Sequence, residues 1–169
     1  SGIDTKIDEQ TVGFYIAPKL NSIGRMDSAK LGLTFLMAED PVTARALAEQ
    51  IEQYNIERKQ VTEDIVKDVI SKIESSDKKQ KNVIMVSGEY HEGVLGIVAS
   101  NIVEKYQKPV FIMNEKEGIL KGSARSIFDF NIYVAMNKIS DLFLAFGGHT
   151  LAAGFSFEQS NFEKIEEFL

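Results

Sequence analysis

Gly147-Gly148-His149-Thr150-Leu151-Ala152-Ala153-Gly154 sets an imidazole directly after two glycines and before small residues that end in a third glycine. Glycine has no Cβ to block close approach and reaches φ > 0 at little steric cost, so the run suits presenting backbone N–H groups and a ring to an anion. It suits equally a tight turn entering a strand, with the histidine bonded to the backbone. A second cluster is Lys121-Gly122-Ser123-Ala124-Arg125-Ser126. In an extended chain Ser123 and Arg125 fall on one face, where a hydroxyl and a guanidinium fork can grip one phosphate, and Gly122 lets a ligand come close. The alternative is an edge strand with a solvated face. A third is Asn21-Ser22-Ile23-Gly24-Arg25, in which Arg25 either reaches a phosphate or carboxylate in bidentate fashion or is a surface residue of a helix-connecting loop. His91 is the other histidine, in a polar loop after an apolar run, where open α/β sheets tend to bind ligands.

These are anion-binding groups without a hydrolytic centre. No nucleophile and base stand together, two distant histidines make a poor metal site, and Asp4, Asp8, Asp27 and Asp40 are scattered at expected helix starts, where caps belong. No metal site is expected within the chain. The absence of cysteine rules out disulfides and thiolate metal sites and fits a cytoplasmic protein. A net charge of −6 argues against holding nucleic acid by bulk electrostatics. The acid is concentrated at the C-terminus, where Glu158, Glu163, Glu166 and Glu167 outnumber Lys164, so any anion site must be a local pocket. No stretch approaches the ~20 apolar residues of a membrane span, and the first residues carry no basic-then-apolar signal, so no membrane partner is expected.

The elements that must position these groups read as α/β. From Asp8 to Met26 an N-cap acid opens a helix that Pro18 should interrupt or redirect, because proline lacks an N–H and crowds the preceding turn. A short helix covers Ala29 to Met37. Asp40-Pro41 is a strong start signal, and no glycine or further proline follows until about Glu74, which predicts one long helix of roughly 50 Å. Between Asn55 and Gln60 only Ile56 is apolar, so the middle has little to bury, as in a helix that bridges two packed bodies or, alternatively, a coiled-coil arm.

After a polar linker to Asn82, Val83–Val86 reads as a strand, Val94–Tyr106 as a helix and Pro109–Met113 as a second strand. That order predicts a parallel pair. Asn114–Gly118 reads as a turn, Ile119–Ile127 as a third, antiparallel strand, Asn131–Leu144 as helix in one or two pieces, Ala152–Phe157 as a fourth strand and Asn161–Leu169 as a closing helix. The expectation is a small mixed sheet flanked by helices, preceded by a long bridging helix and short helices. Its parts are residues 1–40, a helix and linker over 41–81, and a domain over 82–169.

Taken together, Ile16 to Met26, Asn55-Ile56-Glu57-Arg58, His91 to Ser100, Lys121 to Ile127 and the Gly147–Gly154 run resemble the RecJ family of single-strand DNA exonucleases in the DHH phosphoesterase superfamily. The pieces keep the family's order along nearly the whole chain. The last run alone would indicate only the DHH-associated domain, which recurs in nanoRNases and cyclic-dinucleotide phosphodiesterases. The resemblance implies a 5′ to 3′ exonuclease of DNA repair and recombination, with Mn²⁺ or Mg²⁺ held by a DHH lobe. Residues 1–40 would be the end of that lobe and residues 82–169 the DHH-associated substrate-binding domain. The Asp-His-His motif is not in this sequence, so the chain alone should not hydrolyse DNA.

By carry-over, Ser123 and Arg125 would pocket a 5′-phosphate. His149, with the N–H groups of Gly147 and Gly148, would approach the scissile phosphate, and Arg25 and Asn21 would line the strand path, with His91 on the substrate side. The implied partners are single-stranded DNA and the DHH lobe of the same parent chain. Two other readings remain: the lobe of a nanoRNase or cyclic-dinucleotide phosphodiesterase, and a non-catalytic interaction module.

Overall fold

The computed structural model describes residues 7–27 and 29–169; Asp4, expected at a helix start, lies outside them. The described residues divide into two compact units between Val61 and Thr62, within the long helix.

In the first unit Asp8 accepts hydrogen bonds from the Thr11 amide and hydroxyl, both at 2.7 Å, and so starts a helix. The expected interruption at Pro18 does not separate two helices. A π-helical stretch, Thr11–Ile16, runs straight into α1 (Ala17–Met26), with the Ala17 amide bonding back to Val12. The wider turn supplies the adjustment that a ring without an N–H demands, and the chain stays helical. Helix α2 (Lys30–Leu36) follows, and α3 (Pro41–Glu74) begins where Asp40 caps Thr43 through amide and hydroxyl, both at 2.8 Å. Asp27 is not a cap at a helix start; it closes α1, and its carboxylate accepts a hydrogen bond from Tyr54 on α3 at 2.9 Å. Ser22, Ile23, Ile51 and Asn55 are buried here.

The second unit holds the rest of α3, whose Ile65, Val69 and Ile73 are buried, and a five-stranded sheet. Its elements are β1 (Ile84–Gly88), α4 (Leu95–Tyr106), β2 (Val110–Lys116), β3 (Ile119–Arg125), α5 (Ile132–Asn137), β4 (Ala145–His149), β5 (Ala152–Glu158) and α6 (Phe162–Phe168). The strand order is β1-β2-β3-β5-β4, with β1 parallel to β2 and every other pair antiparallel. The mixed sheet and the parallel first pair agree with the sequence. Strand β2 outruns its expected end, because the β2–β3 turn is only Glu117-Gly118, both at positive φ (54° and 75°). That is the two-residue geometry that matches strand twist.

One sheet face carries the core: Met85, Phe111, Met113, Leu120, Phe155 and Phe157 pack with Ile132, Met136, Phe143 and Ile165. Burying a ring such as Phe111 or Phe157 contributes about 2–3 kcal/mol. On the other face Val98, Ala99 and Ile102 of α4 are fully buried, and the helix packs on β2 and β3. That leaves the β5–β4 end of this face open: Gly147, His149 and Gly154 are exposed.

Candidate functional site

The Gly-Gly-His run is neither a turn nor a loop. It ends an edge strand, β4, that the sequence reading did not anticipate. Register then decides what meets what. Ser123 lies opposite Gly154, and Gly154 opposite Gly147; Arg125 lies opposite Ala152, and Ala152 opposite His149. Two parallel rows therefore cross β3, β5 and β4 on the open face. At about 4.8 Å per strand, the Arg125 and His149 backbones stand about 10 Å apart. Ala152 floors the row between them, and Gly154 and Gly147 floor the row beside it, where a Cβ built on either glycine would meet nothing within 4 Å. This is a shallow platform of glycine and the Ala152 methyl, with a guanidinium at one side and an imidazole at the other.

Arg125 is held in place. Its Nη1 donates to Ser123 Oγ at 3.0 Å and to the Ala124 carbonyl at 2.8 Å, so alternation has brought hydroxyl and guanidinium together as expected. The first turn of α4 lies against the pair: a Cβ on Gly96 would stand 2.6 Å from Arg125 Nη2 and 3.2 Å from Ser123 Oγ. Glycine at 96 thus lets the amide-rich, electropositive end of a twelve-residue helix share one spot with a hydroxyl and a fixed cation. Gly122 serves packing, not ligand approach. Its missing Cβ points into the core, 2.4 Å from the Ile112 carbonyl and 2.6 Å from the Phe155 ring. Gly148 is likewise steric, since a Cβ there would lie 2.2 Å from the Ala152 carbonyl oxygen. Consecutive residues of an edge strand turn their amides alternately inward and outward, so Gly147 and Gly148 cannot both present an N–H away from β5.

His91 is exposed and caps a short 3-10 turn, Glu92–Val94, its Nδ1 accepting from the Gly93 amide at 3.2 Å. The loop around it is anchored on three sides. Glu92 pairs with Lys121 of β3 at 2.6 Å, a hydrogen bond that holds its carboxyl below the ordinary range. The Tyr90 amide donates to Asn114 of β2 at 3.1 Å. The Tyr90 hydroxyl donates to Asp68 of α3 and accepts from Lys72 at 2.8 Å, while Lys72 also reaches the Ser87 carbonyl at 3.1 Å. Burial first, and then the Asp68 hydrogen bond, push the Tyr90 phenol up to about 12. Gly88 makes room for the ring, since a Cβ there would sit 2.5 Å from it. The only sequence signal for this latch is the Asp68/Lys72 spacing of four.

Asn21 and Arg25 belong to the first unit and lie exposed on α1, not in a connecting loop. Between them lie buried Ser22, whose hydroxyl donates to the Lys19 carbonyl at 2.6 Å, and Ile23. A residue that the sequence places in a family-like segment without a role joins Arg25: Arg58, part-buried on α3, is shifted below its ordinary value by burial and then by the Arg25 charge. Its Nη2 donates to buried Asn55 at 2.8 Å, so two like charges are kept near each other by α1 and α3.

Among the described residues no three His, Cys, Asp or Glu side chains come together to hold a metal ion. No described helix is long and apolar enough to cross a membrane.

The DHHA1 domain family matches residues 52–169. The single-stranded-DNA-specific exonuclease RecJ of Bacillus subtilis is 38% identical over 149 residues, covering 87% of this chain and 19% of that protein. Crystal structures align as closely. RecJ of Thermus thermophilus in complex with Mg²⁺ superposes with a TM-score of 0.83 at 31% identity, over 94% of this chain and 24% of the other. An exonuclease RecJ bound to manganese gives 0.80 at 31% identity, over 94% and 39%. The chain therefore spans about a fifth of its Bacillus relative. Its own described residues do not fit the Mg²⁺ or Mn²⁺ of those structures, for want of a ligand set.

Proposed function

The chain belongs to the DHHA1 domain family and matches RecJ exonucleases along most of its length, and on that premise we propose that it is the substrate-binding part of a RecJ-like 5′ to 3′ single-stranded DNA exonuclease. The observation that carries the reading is the pair of rows on the open sheet face. Ser123, Arg125 and the first turn of α4 converge at Gly96; the row from Ser123 runs on across Gly154 to Gly147, and the row from Arg125 across Ala152 to His149.

A terminal 5′-phosphate suits the Ser123–Arg125 corner. It is compact and doubly charged, and it finds a hydroxyl, a guanidinium already oriented by Ser123 Oγ and the Ala124 carbonyl, and a helix N-terminus. The following phosphodiester would lie over Gly147 and Gly154, where no side chain stands in its way, with His149 donating to the phosphate oxygens as charge develops on them. Arg25, with Arg58 beside it, and Asn21 would contact the strand from the first unit; His91, occupied in capping, would act on the substrate side through the loop it orders. Residues 1–40 would be the end of a DHH lobe and 82–169 the substrate-binding domain, with residues 41–81 between them. The Mg²⁺ or Mn²⁺ that supplies the hydrolytic chemistry of the relatives would be held by residues outside this chain, in a protein of the cytoplasm that serves DNA repair and recombination.

Titration of the chain with a single-stranded oligonucleotide bearing either a 5′-phosphate or a 5′-hydroxyl tests the proposal. The phosphate form should bind about tenfold more tightly, as expected for charge-assisted hydrogen bonds, and Arg125→Ala should erase the difference. Equal binding by the wild type and an Arg125→Ala/His149→Ala variant would overturn it and favour a non-catalytic interaction module.

A further inference from the structure

Phe128 is 89% exposed, the most exposed of the large apolar side chains described, while Phe130 two residues on packs against the core. The loop that carries it is not loose. Ser126 Oγ donates to the Phe130 carbonyl at 2.6 Å, and the Phe130 amide donates to the Ile127 carbonyl at 3.2 Å, closing a tight turn with Phe128 near its tip. The same loop is tied to the β4–β5 turn. The Ser126 amide donates to the Leu151 carbonyl at 2.9 Å and the Ile132 amide to the Thr150 carbonyl at 3.1 Å. Arg125, His149, Thr150 and Leu151 thus share one end of the sheet with Phe128, and Leu151 adds a second exposed apolar side chain, at 44%.

A phenyl ring left in water on a turn fixed by these bonds contributes none of the stabilisation that burial would give it. The position is three residues past Arg125, within about 10 Å along the chain, which is comparable with the step from a strand's first phosphate to its neighbouring bases. Asp129 beside it disfavours phosphate at the loop tip, leaving the ring as the contact. We infer that Phe128 is a base-stacking platform: it takes the face of a nucleobase near the end of a single strand whose terminal phosphate sits at Ser123 and Arg125. The inference rests on the phosphate-site reading above and adds a contact to the base. Stacking on an aromatic face needs an unpaired base and accepts any of the four, so Phe128 would favour single strands without reading sequence.

The test uses two 5′-phosphorylated single strands of equal length, oligothymidylate and an abasic phosphodiester. Phe128→Ala should weaken oligothymidylate binding on the order of tenfold and leave the abasic strand unaffected, with Phe128→Leu behaving like the alanine variant. Phe128→Trp places a tryptophan in a chain that has none, so its emission can be read without background, and it should be quenched by oligothymidylate but not by the abasic strand. Unchanged affinity in Phe128→Ala, together with loss of binding in Arg125→Ala, would overturn the stacking role and leave the phosphate site standing. Indifference of both variants, or no binding by the wild type, would overturn the phosphate site and the platform with it.

Discussion

Gly96 and Arg125 are 29 residues apart in sequence, yet a Cβ on the first would stand 2.6 Å from a guanidinium nitrogen of the second. The clashing atom is the far end of a flexible side chain, so Gly96→Ala should displace Arg125 and leave the fold intact. Alanine in a helix also gains about 1 kcal/mol over glycine, which offsets the lost packing. The expected outcome is a melting temperature within a few degrees of wild type and about tenfold weaker binding of a 5′-phosphorylated oligonucleotide. Unchanged binding would show that the helix turn and the guanidinium do not act on one ligand.

The two glycines before His149 should behave oppositely. Alanine at 148 meets the Ala152 carbonyl at 2.2 Å and the Ala153 Cα at 2.6 Å, both backbone atoms that cannot swing aside, so Gly148→Ala should cost about 1–3 kcal/mol in urea unfolding. Alanine at 147 meets nothing within 4 Å and should be neutral or stabilising by up to about 1 kcal/mol. A methyl there still raises the floor of the row that runs from Ser123 across Gly154, so Gly147→Ala should weaken oligonucleotide binding without loss of stability. A reversed stability order would refute the strand geometry.

Those glycines also mark where sequence reasoning runs out. Helix α3 was legible because no glycine or second proline interrupts Pro41–Glu74, and the parallel β1–β2 pair followed from strand–helix–strand order. Strand β4 was not, since Ala145-Phe146-Gly147-Gly148-His149 has one large apolar residue and two glycines, and its extended form is dictated by pairing to β5. Ser123 and Arg125 could be placed on one face by alternation alone. The contribution of Gly96 could not, because it depends on which helix the sheet packs against. Gly122 misled for the same reason: a missing Cβ is equally compatible with a ligand and with a phenylalanine ring, and only the tertiary fold says which.

Tyr90 ties the loop before α4 to α3 and gives the fold a pH signature. A phenol held at about 12, against an ordinary 10, keeps its proton in the folded state after the unfolded chain has lost it. Its contribution is therefore present in full below pH 10 and is lost as pH rises from 10 to 12, amounting to roughly 2 kcal/mol. Tyr106, whose hydroxyl donates to Glu74 at 2.7 Å, is also raised to about 12 and titrates in the same window. The informative quantity is thus the difference between wild type and Tyr90→Phe in urea unfolding. The gap should be about 1–3 kcal/mol near pH 8 and should narrow toward pH 12. A gap independent of pH would show that the phenol's proton is not what the latch holds.

His149 sits exposed on an edge strand, so its chemistry can be separated from its structural role. His149→Ala should leave thermal stability within about 0.5 kcal/mol, as is usual for exposed positions. Hydrolysis is the sharper question. An imidazole beside a phosphate can stabilise charge and orient the diester, but displacing a phosphodiester bond also needs an activated water, and no described cluster of carboxylates and histidines is available to supply a metal-activated one. The chain alone, given Mn²⁺ or Mg²⁺ and a 5′-labelled single strand, should therefore release no nucleotides while still binding the strand. Release that depends on metal and disappears in His149→Ala would place a complete active site within these 169 residues.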